Sequence, residues 1–118
     1  MMPHNLIFAQ PGSREEIGTD AQTMTSDKLD SEGRAFIPNN KKIFAASKLL
    51  EPGKTDRLKI TAPSAEGKYE MVCTYPGHWM VMWAKLIVTK DVDAYLAKHP
   101  QPEEVPPTFN QPPPPEHK

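Results

Sequence analysis

Turn-forming residues divide this chain into short segments, and their spacing limits the fold more than any other feature of the sequence. The run from Thr55 to Thr61 alternates polar and apolar residues, which is the pattern of a half-buried strand. Several short strands joined by turns are typical of an all-β sandwich, and this is the fold class that we predict. The turn signals lie at Pro11-Gly12, Pro52-Gly53, Pro63 to Gly67 and Pro76-Gly77.

Hydrophobic periodicity predicts the individual elements. In the strand expected over residues 68–73, the alternation should direct Tyr69, Met71 and Cys73 toward the core. The other strands are expected over residues 4–8, 41–47, 55–61 and 83–90.

Two helices are predicted, over residues 14–30 and 91–99. Ser13 and Glu16 have the spacing of a capping box at the start of the first helix, whose threonines are weak helix formers. The second helix should carry its apolar residues, Val92, Tyr95 and Leu96, on one face.

Composition excludes several classes of protein. The formal net charge of -1 and the pI near 6.4 argue against a nucleic-acid-binding protein, so no nucleic-acid partner is expected. The single cysteine excludes an intrachain disulfide. No run of about 18 apolar residues is present, so no membrane span is predicted. The first residues also lack the charged and apolar regions of a secretory signal peptide.

Side chains of the kinds that bind copper lie close together in one short run. Cys73, His78 and Met82 offer a thiolate, an imidazole and a thioether, and His4 offers a second imidazole. Soft sulfur favours Cu(I), imidazole serves both oxidation states, and a long axial thioether tunes the potential. The set therefore suits a metal that exchanges one electron, and Pro76-Gly77 should form the turn that brings the ligands together.

This run resembles the copper loop of azurin and the auracyanins, which are blue copper proteins of the cupredoxin family. In that loop a cysteine is followed by a histidine and then a methionine at the spacing of Cys73, His78 and Met82. The segment 2–5 is similar to the azurin segment that holds the first histidine, and residues 48–56 resemble the strand and turn before the cysteine strand. The resemblance covers about residues 2 to 90 and implies a cupredoxin-like Greek-key β-sandwich with a helical flap insertion and a short C-terminal helix.

The resemblance implies a ligand set for one type 1 copper ion. His4, Cys73 and His78 would be the equatorial ligands, and Met82 would be the axial ligand, with Met80 as the competing candidate. A protein of this kind is not an enzyme: it shuttles single electrons as copper cycles between Cu(I) and Cu(II).

The same resemblance implies roles for residues around the ligands. Asn5 would bond to the copper loop and hold it closed, because outer partners of this kind orient metal ligands. The amides of Thr74 and Tyr75 would donate to the cysteine sulfur. The edge of His78 would be exposed as the electron port. Trp79 could lie in the core or on the surface, and we favour a surface position beside this edge, where Pro76 and Met80 would complete an apolar patch.

One departure concerns the start of the chain. Several strands precede the first histidine in azurin-like proteins, whereas three residues precede His4 here. We therefore assign residues 1–90 to a cupredoxin-like copper-binding domain that lacks its N-terminal strands. Residues 91–100 would be a short helix, and residues 101–118 a proline-rich disordered tail. Exposed strand edges would favour self-association.

Alternative functions follow from the same residues. The chain could be a copper-binding C-terminal domain or fragment of a larger redox enzyme, or a structural metal-binding module, although methionine is a poor zinc ligand. An enzyme with Cys73 as nucleophile would need an oxyanion site that the sequence does not reveal. His99 and His117 are predicted to be solvated rather than metal-bound.

The resemblance also bears on partners and location. An electron carrier needs a redox partner, such as a c-type cytochrome or a neighbouring redox domain. A periplasmic or extracytoplasmic location is implied by resemblance alone, because this chain shows no signal peptide.

Overall fold

The computed structural model of the protein describes residues 2–102 and 104–107. The elements in chain order are β1 (Ile7–Ala9), α1 (Arg14–Gln22), β2 (Ile43–Ala46), β3 (Gly67–Val72), β4 (Trp83–Val88) and α2 (Val92–Lys98). Within the described residues the strands form one antiparallel sheet in the order β2-β1-β3-β4, which confirms the predicted all-β class.

The register of the sheet determines where the chain leaves it. In β1, Ile7 lies opposite Val72 of β3 on one side and opposite Ala46 of β2 on the other. The last residue of β3, Val72, pairs with Trp83 at the start of β4. Cys73 therefore follows the end of β3 directly and lies next to the first residue of β4. The loop that joins the two strands leaves the sheet and returns to it at neighbouring positions.

The main core lies between the sheet and α1. Ile7 and Val72 of the sheet and Ile17 of α1 are fully buried. They form one cluster with Ala9, Ile37 and Ala46. Burial of a side chain of this size contributes about 1.5–3 kcal/mol, so this cluster fixes the helix against the sheet.

Aromatic residues cover part of the opposite face of the sheet. The ring of Phe44 lies 6.2 Å from that of Phe8 and meets the ring of Tyr69 edge-on at 5.9 Å. The predicted inward face of β3 is only partly correct: Tyr69 and Cys73 are buried, whereas Met71 is half-buried. Both faces of β3 carry apolar contacts, so alternation alone could not identify the core side.

The helix α1 ends at Gln22, and the predicted extension to residue 30 is wrong. Thr23 and Thr25 are weak helix formers, and the chain after them is largely exposed. Leu29 instead forms an isolated antiparallel bridge with Ala35.

The predicted capping box at the start of α1 is also wrong. The hydroxyl of Ser13 donates to the carbonyl of Gln10 at 2.6 Å and makes no cap hydrogen bond. Glu16 accepts hydrogen bonds from Asn40 and from the ammonium of Lys42, both at 2.7 Å. The first turn of the helix is thus tied to the chain just before β2.

The other strand predictions have mixed outcomes. Those over 41–47, 68–73 and 83–90 are confirmed with shorter bounds, and the one over 4–8 begins later, at Ile7. The predicted strand 55–61 is wrong: the segment is exposed, Leu58 at 40%, and it pairs with no strand among the described residues. Alternating residues form a strand only beside a partner that satisfies their backbone groups.

The second helix is confirmed over Val92–Lys98, and the carboxylate of Asp91 caps it by accepting the amide of Ala94 at 3.0 Å. Val92 and Leu96 stay exposed, at 60% and 56%, whereas Tyr95 is half-buried. Residues 101–102 and 104–107 have no regular secondary structure, and the carboxylate of Glu104 lies 3.5 Å from the ammonium of Lys85. The rest of the predicted tail lies outside the described residues.

Candidate metal centre

The loop after β3 is closed by backbone hydrogen bonds. Gly77 has a φ of 90°, which glycine adopts without strain, and the turn it forms lets the amide of His78 donate to the carbonyl of Tyr75 at 2.9 Å. The amide of Met82 donates to the carbonyl of His78 at 2.8 Å, and the amide of Cys73 donates to the carbonyl of Met82 at 3.0 Å. These bonds fold Cys73 and His78 toward each other.

The first predicted ligand comes from a distant part of the chain. His4 forms an isolated antiparallel bridge with Leu50, in which the two residues exchange backbone hydrogen bonds of 3.0 and 2.8 Å. This bridge places the imidazole of His4 beside the loop, with its Nδ1 3.9 Å from the Sγ of Cys73.

The predicted equatorial ligands therefore converge. His78 Nδ1 lies 3.5 Å from Cys73 Sγ, and the ring centroids of His4 and His78 are 5.0 Å apart. One ligand atom from each of the three residues lies within 4.8 Å of the others. The three side chains are therefore close enough together to bind one metal ion.

These spacings fit a metal ion. Bonds of about 2.0 Å to nitrogen and 2.3 Å to sulfur in a trigonal plane separate nitrogen from sulfur by about 3.7 Å. The two observed sulfur–nitrogen distances, 3.5 and 3.9 Å, lie on either side of that value. One thiolate and two imidazoles also form the trigonal donor set of a blue copper site.

Burial affects the protonation of the ligands. It raises the pKa of the Cys73 thiol above its usual range, and hydrogen bonds from the backbone of Asn5 and Tyr75 partly oppose this. Burial and the nearby His4 lower the pKa of His78. The metal-free site therefore favours an uncharged thiol and an uncharged His78, and metal binding must release the thiol proton.

Asn5 bridges the two parts of the site, as predicted. The amide of Thr74 donates to Asn5 Oδ1, and Asn5 Nδ2 donates to Thr74 Oγ1, both at 2.8 Å. The Thr74 hydroxyl then donates to the carbonyl of Phe36 at 2.6 Å. The prediction that the Thr74 amide donates to the cysteine sulfur is wrong, because Asn5 accepts that amide, whereas the predicted Tyr75 hydrogen bond is confirmed.

The two candidate axial ligands, Met82 and Met80, differ in their exposure to solvent. Met82 is half-buried and its backbone closes the loop at Cys73, whereas Met80 is 51% exposed. The axial role of Met82 stays a prediction.

The predicted exposed edge of His78 is wrong. His78 is 2% exposed, and the sulfur of Met2 lies 3.4 Å from its Nε2. Of the two imidazoles, that of His4 is the exposed one. No sequence pattern pointed to Met2, because its contact with His78 depends on the folded path of the first residues.

The expected surface position of Trp79 is also wrong. Trp79 is half-buried and packs against the main core. It contacts α1 at Gly18, where an added Cβ would lie 2.2 Å from Trp79 Cγ. A glycine inside a predicted amphipathic helix was the signal that could have indicated a close contact.

Of the remaining histidines, His99 lies outside this group in the part of the chain that the structure describes. The ring of His99 stacks on that of Tyr95 at 4.2 Å, and His99 is half-buried rather than solvated as predicted. His117 lies outside the described residues. In the part of the chain that the structure describes, no helix is long and apolar enough to cross a membrane.

Known proteins resemble both the sequence and the fold. The family of copper-binding proteins of the plastocyanin/azurin type matches residues 1–89. Auracyanin-A of Chloroflexus aurantiacus is 34% identical over 87 residues, which cover 72% of this chain and 50% of that protein. Azurin of Pseudomonas fluorescens biotype C is 26% identical over 84 residues, which cover 70% of this chain and 62% of that protein.

A solved structure agrees with these relatives. Reduced auracyanin from Roseiflexus castenholzii superposes with a TM-score of 0.61 at 28% identity, over 75% of this chain and 67% of that one. The cupredoxin fold predicted from the loop is confirmed. The chain spans only about half the length of auracyanin-A.

Proposed function

The chain belongs to the plastocyanin/azurin family of copper-binding proteins, and on that premise we propose that it is a type 1 copper electron-transfer protein. The observation that carries the proposal is the convergence of His4, Cys73 and His78, whose ligand atoms lie within 4.8 Å of one another. We propose an electron carrier rather than an enzyme, with Met82 as the axial ligand.

Copper, when bound, would supply one-electron chemistry through its Cu(I) and Cu(II) states. The protein's part is to hold the ligands in one arrangement that suits both states. The backbone bonds from Cys73 to Met82 and from Met82 to His78 fix the loop, and the side chain of Asn5 ties it to the segment that carries His4. Ligands held this firmly move little when the charge on the site changes.

The protein also limits the access of water to two of the three equatorial ligands. Cys73 is 4% exposed and His78 is 2% exposed, and Met2 covers the outer nitrogen of His78. A dry environment around the sulfur tunes the potential of such sites.

Partners and location are part of the same proposal. We propose that the chain exchanges electrons with a redox protein, such as a c-type cytochrome or a neighbouring domain, in the periplasm or elsewhere outside the cytoplasm. Its membership in the copper-binding family supports both statements. Fractionation of cells that express the natural gene would test the location.

The test of the metal centre is direct. Adding Cu(II) to the purified protein should produce an intense visible absorption band from the thiolate, and Cys73→Ser should abolish that band. Ser64→Ala, at an exposed position away from the loop, is the control and should keep it. A colourless protein that retains zinc in preference to copper would contradict the proposal.

A further inference from the structure

The loop that carries His78 is held from outside the ligand set by a contact with α1. Trp79, the residue next to His78, packs against the main core. A side chain at Gly18 would place its Cβ 2.2, 2.5 and 2.6 Å from Trp79 Cγ, Cδ2 and Cβ. A Cβ does not approach a non-bonded heavy atom this closely, so only glycine leaves room for the indole.

This clash cannot be relieved by rotating the indole. One of the overlapping atoms is the Cβ of Trp79, whose position is set by the backbone. A larger residue at position 18 must therefore move the backbone of residue 79 or displace α1, and Ile17 and Ala21 fix α1 in the core. The backbone of residue 79 is bonded directly to that of His78.

We propose that Gly18 is a positioning residue for the metal centre, whose missing side chain leaves a seat for the indole of Trp79. The seated indole fixes the turn that begins at His78, where the His78 carbonyl accepts the amides of Val81 and Met82 at 3.0 and 2.8 Å. The consequence is a fixed imidazole beside the Cys73 sulfur. This proposal rests on the proposed function only in the measurements that are made on the copper-loaded protein.

The first test depends on whether Gly18→Ala raises or lowers the stability of the protein. At an unobstructed helix position, glycine to alanine raises stability, because alanine is the better helix former. Gly18→Ala should instead lower the urea midpoint of the metal-free protein. In a Trp79→Gly background, which removes the Trp79 Cβ as well as the indole, the same change should raise the midpoint. The difference between the two effects measures the contact.

The second test measures whether the contact between Gly18 and Trp79 affects the position of the His78 imidazole. Gly18→Ala should shift the NMR signals of the His78 ring in the metal-free protein and the position of the thiolate band after Cu(II) is added. The matched control is Gly67→Ala, where the new Cβ would lie 3.6 Å from the ring of Tyr69 in ordinary contact. The control should leave both signals at their wild-type positions.

The outcomes separate the two proposals. A wild-type protein without a thiolate band would contradict the proposed function, while the metal-free midpoints and His78 signals would still test the role of Gly18. A Gly18→Ala protein that is more stable than wild type, or that keeps wild-type His78 signals, would overturn that role. Should Gly18→Ala fail to fold, the double variant must fold with a midpoint above that of Trp79→Gly, and a lower midpoint would overturn the proposal.

Discussion

Asn5 and Thr74 lie 69 positions apart in sequence and exchange two hydrogen bonds of 2.8 Å. Asn5 is 6% exposed and Thr74 is 1% exposed, so neither bond is replaced readily by water. The pair joins the segment that carries His4 to the loop that carries Cys73 and His78. The geometry of the metal centre therefore depends on a contact that uses no metal ligand.

Removing the Asn5 side chain should destabilise the protein even without metal. Asn5→Ala leaves the Thr74 amide buried without that acceptor, and a buried unsatisfied group costs about 1–3 kcal/mol. Urea unfolding of the metal-free protein measures the loss. Asn39→Ala, at an exposed position, is the control and should change the free energy of unfolding little. Equal losses in the two variants would contradict this role.

The axial ligand can be identified by two parallel substitutions. Met82→Leu should keep the thiolate band and raise the reduction potential of the copper-loaded protein, because the weak sulfur donor that tunes the potential is removed. Met80→Leu should leave the potential unchanged, since Met80 is 51% exposed. Voltammetry of both variants makes the comparison, and the reverse result would assign the axial place to Met80.

The ion pair of Glu70 and Lys85 should matter more than a surface pair. Glu70 is 1% exposed and accepts the amide of Gly12 and the ammonium of Lys85, each at 2.8 Å. Lys85→Met leaves a buried carboxylate without its cation, which costs about 3–5 kcal/mol. Urea unfolding should show this loss, and Glu70→Gln in the same chain should recover much of it.

The exposed pair of Lys42 and Glu16 provides the matched control for that experiment. Its ammonium and carboxylate lie 2.7 Å apart, but both side chains are about half exposed, at 52% and 45%. Water and salt screen such a pair, so Lys42→Met should change the unfolding midpoint little. A loss as large as that of Lys85→Met would show that burial does not govern these pairs.

Acid should weaken the turn that follows α1. Partial burial alone would raise the pKa of Asp30, but hydrogen bonds from Arg34 and Glu32 outweigh it and lower the pKa below the ordinary 3.8. The unfolded chain then takes up the proton first, so the stabilisation is present above pH 3.8 and is lost as the pH falls through the lowered pKa. Asp30→Asn should be less stable than wild type near neutral pH, and the difference in unfolding midpoint should disappear in acid. A difference that stays constant with pH would contradict this account.

Part of the candidate site could be predicted from sequence because its chemistry is local. Cys73 and His78 are close in the chain, and the glycine between them can adopt the turn that brings their side chains together. His4 lies 69 positions away from Cys73 and was indicated by the resemblance of residues 2–5 to the azurin segment that holds the first histidine.

Other features depend on tertiary contacts that spacing does not reveal. The seat at Gly18 and the cover that Met2 places over His78 arise between segments far apart in sequence. Residues 55–61 have the alternation of a strand, yet they pair with no strand in the part of the chain that the structure describes. The helix α1 was extended too far because apolar spacing continued beyond the residues that pack on the sheet.

The position of His4 has a mechanical consequence. His4 and Cys73 are separated by 69 residues, so an ion held between them would close most of the chain into a ring. In the chain-entropy description, a cross-link that closes a ring of this size raises the free energy of the unfolded chain by roughly 4 kcal/mol. The bound ion would thus stabilise the fold by linking two distant segments. A chelator that removes the ion would destabilise the whole fold as well as the site.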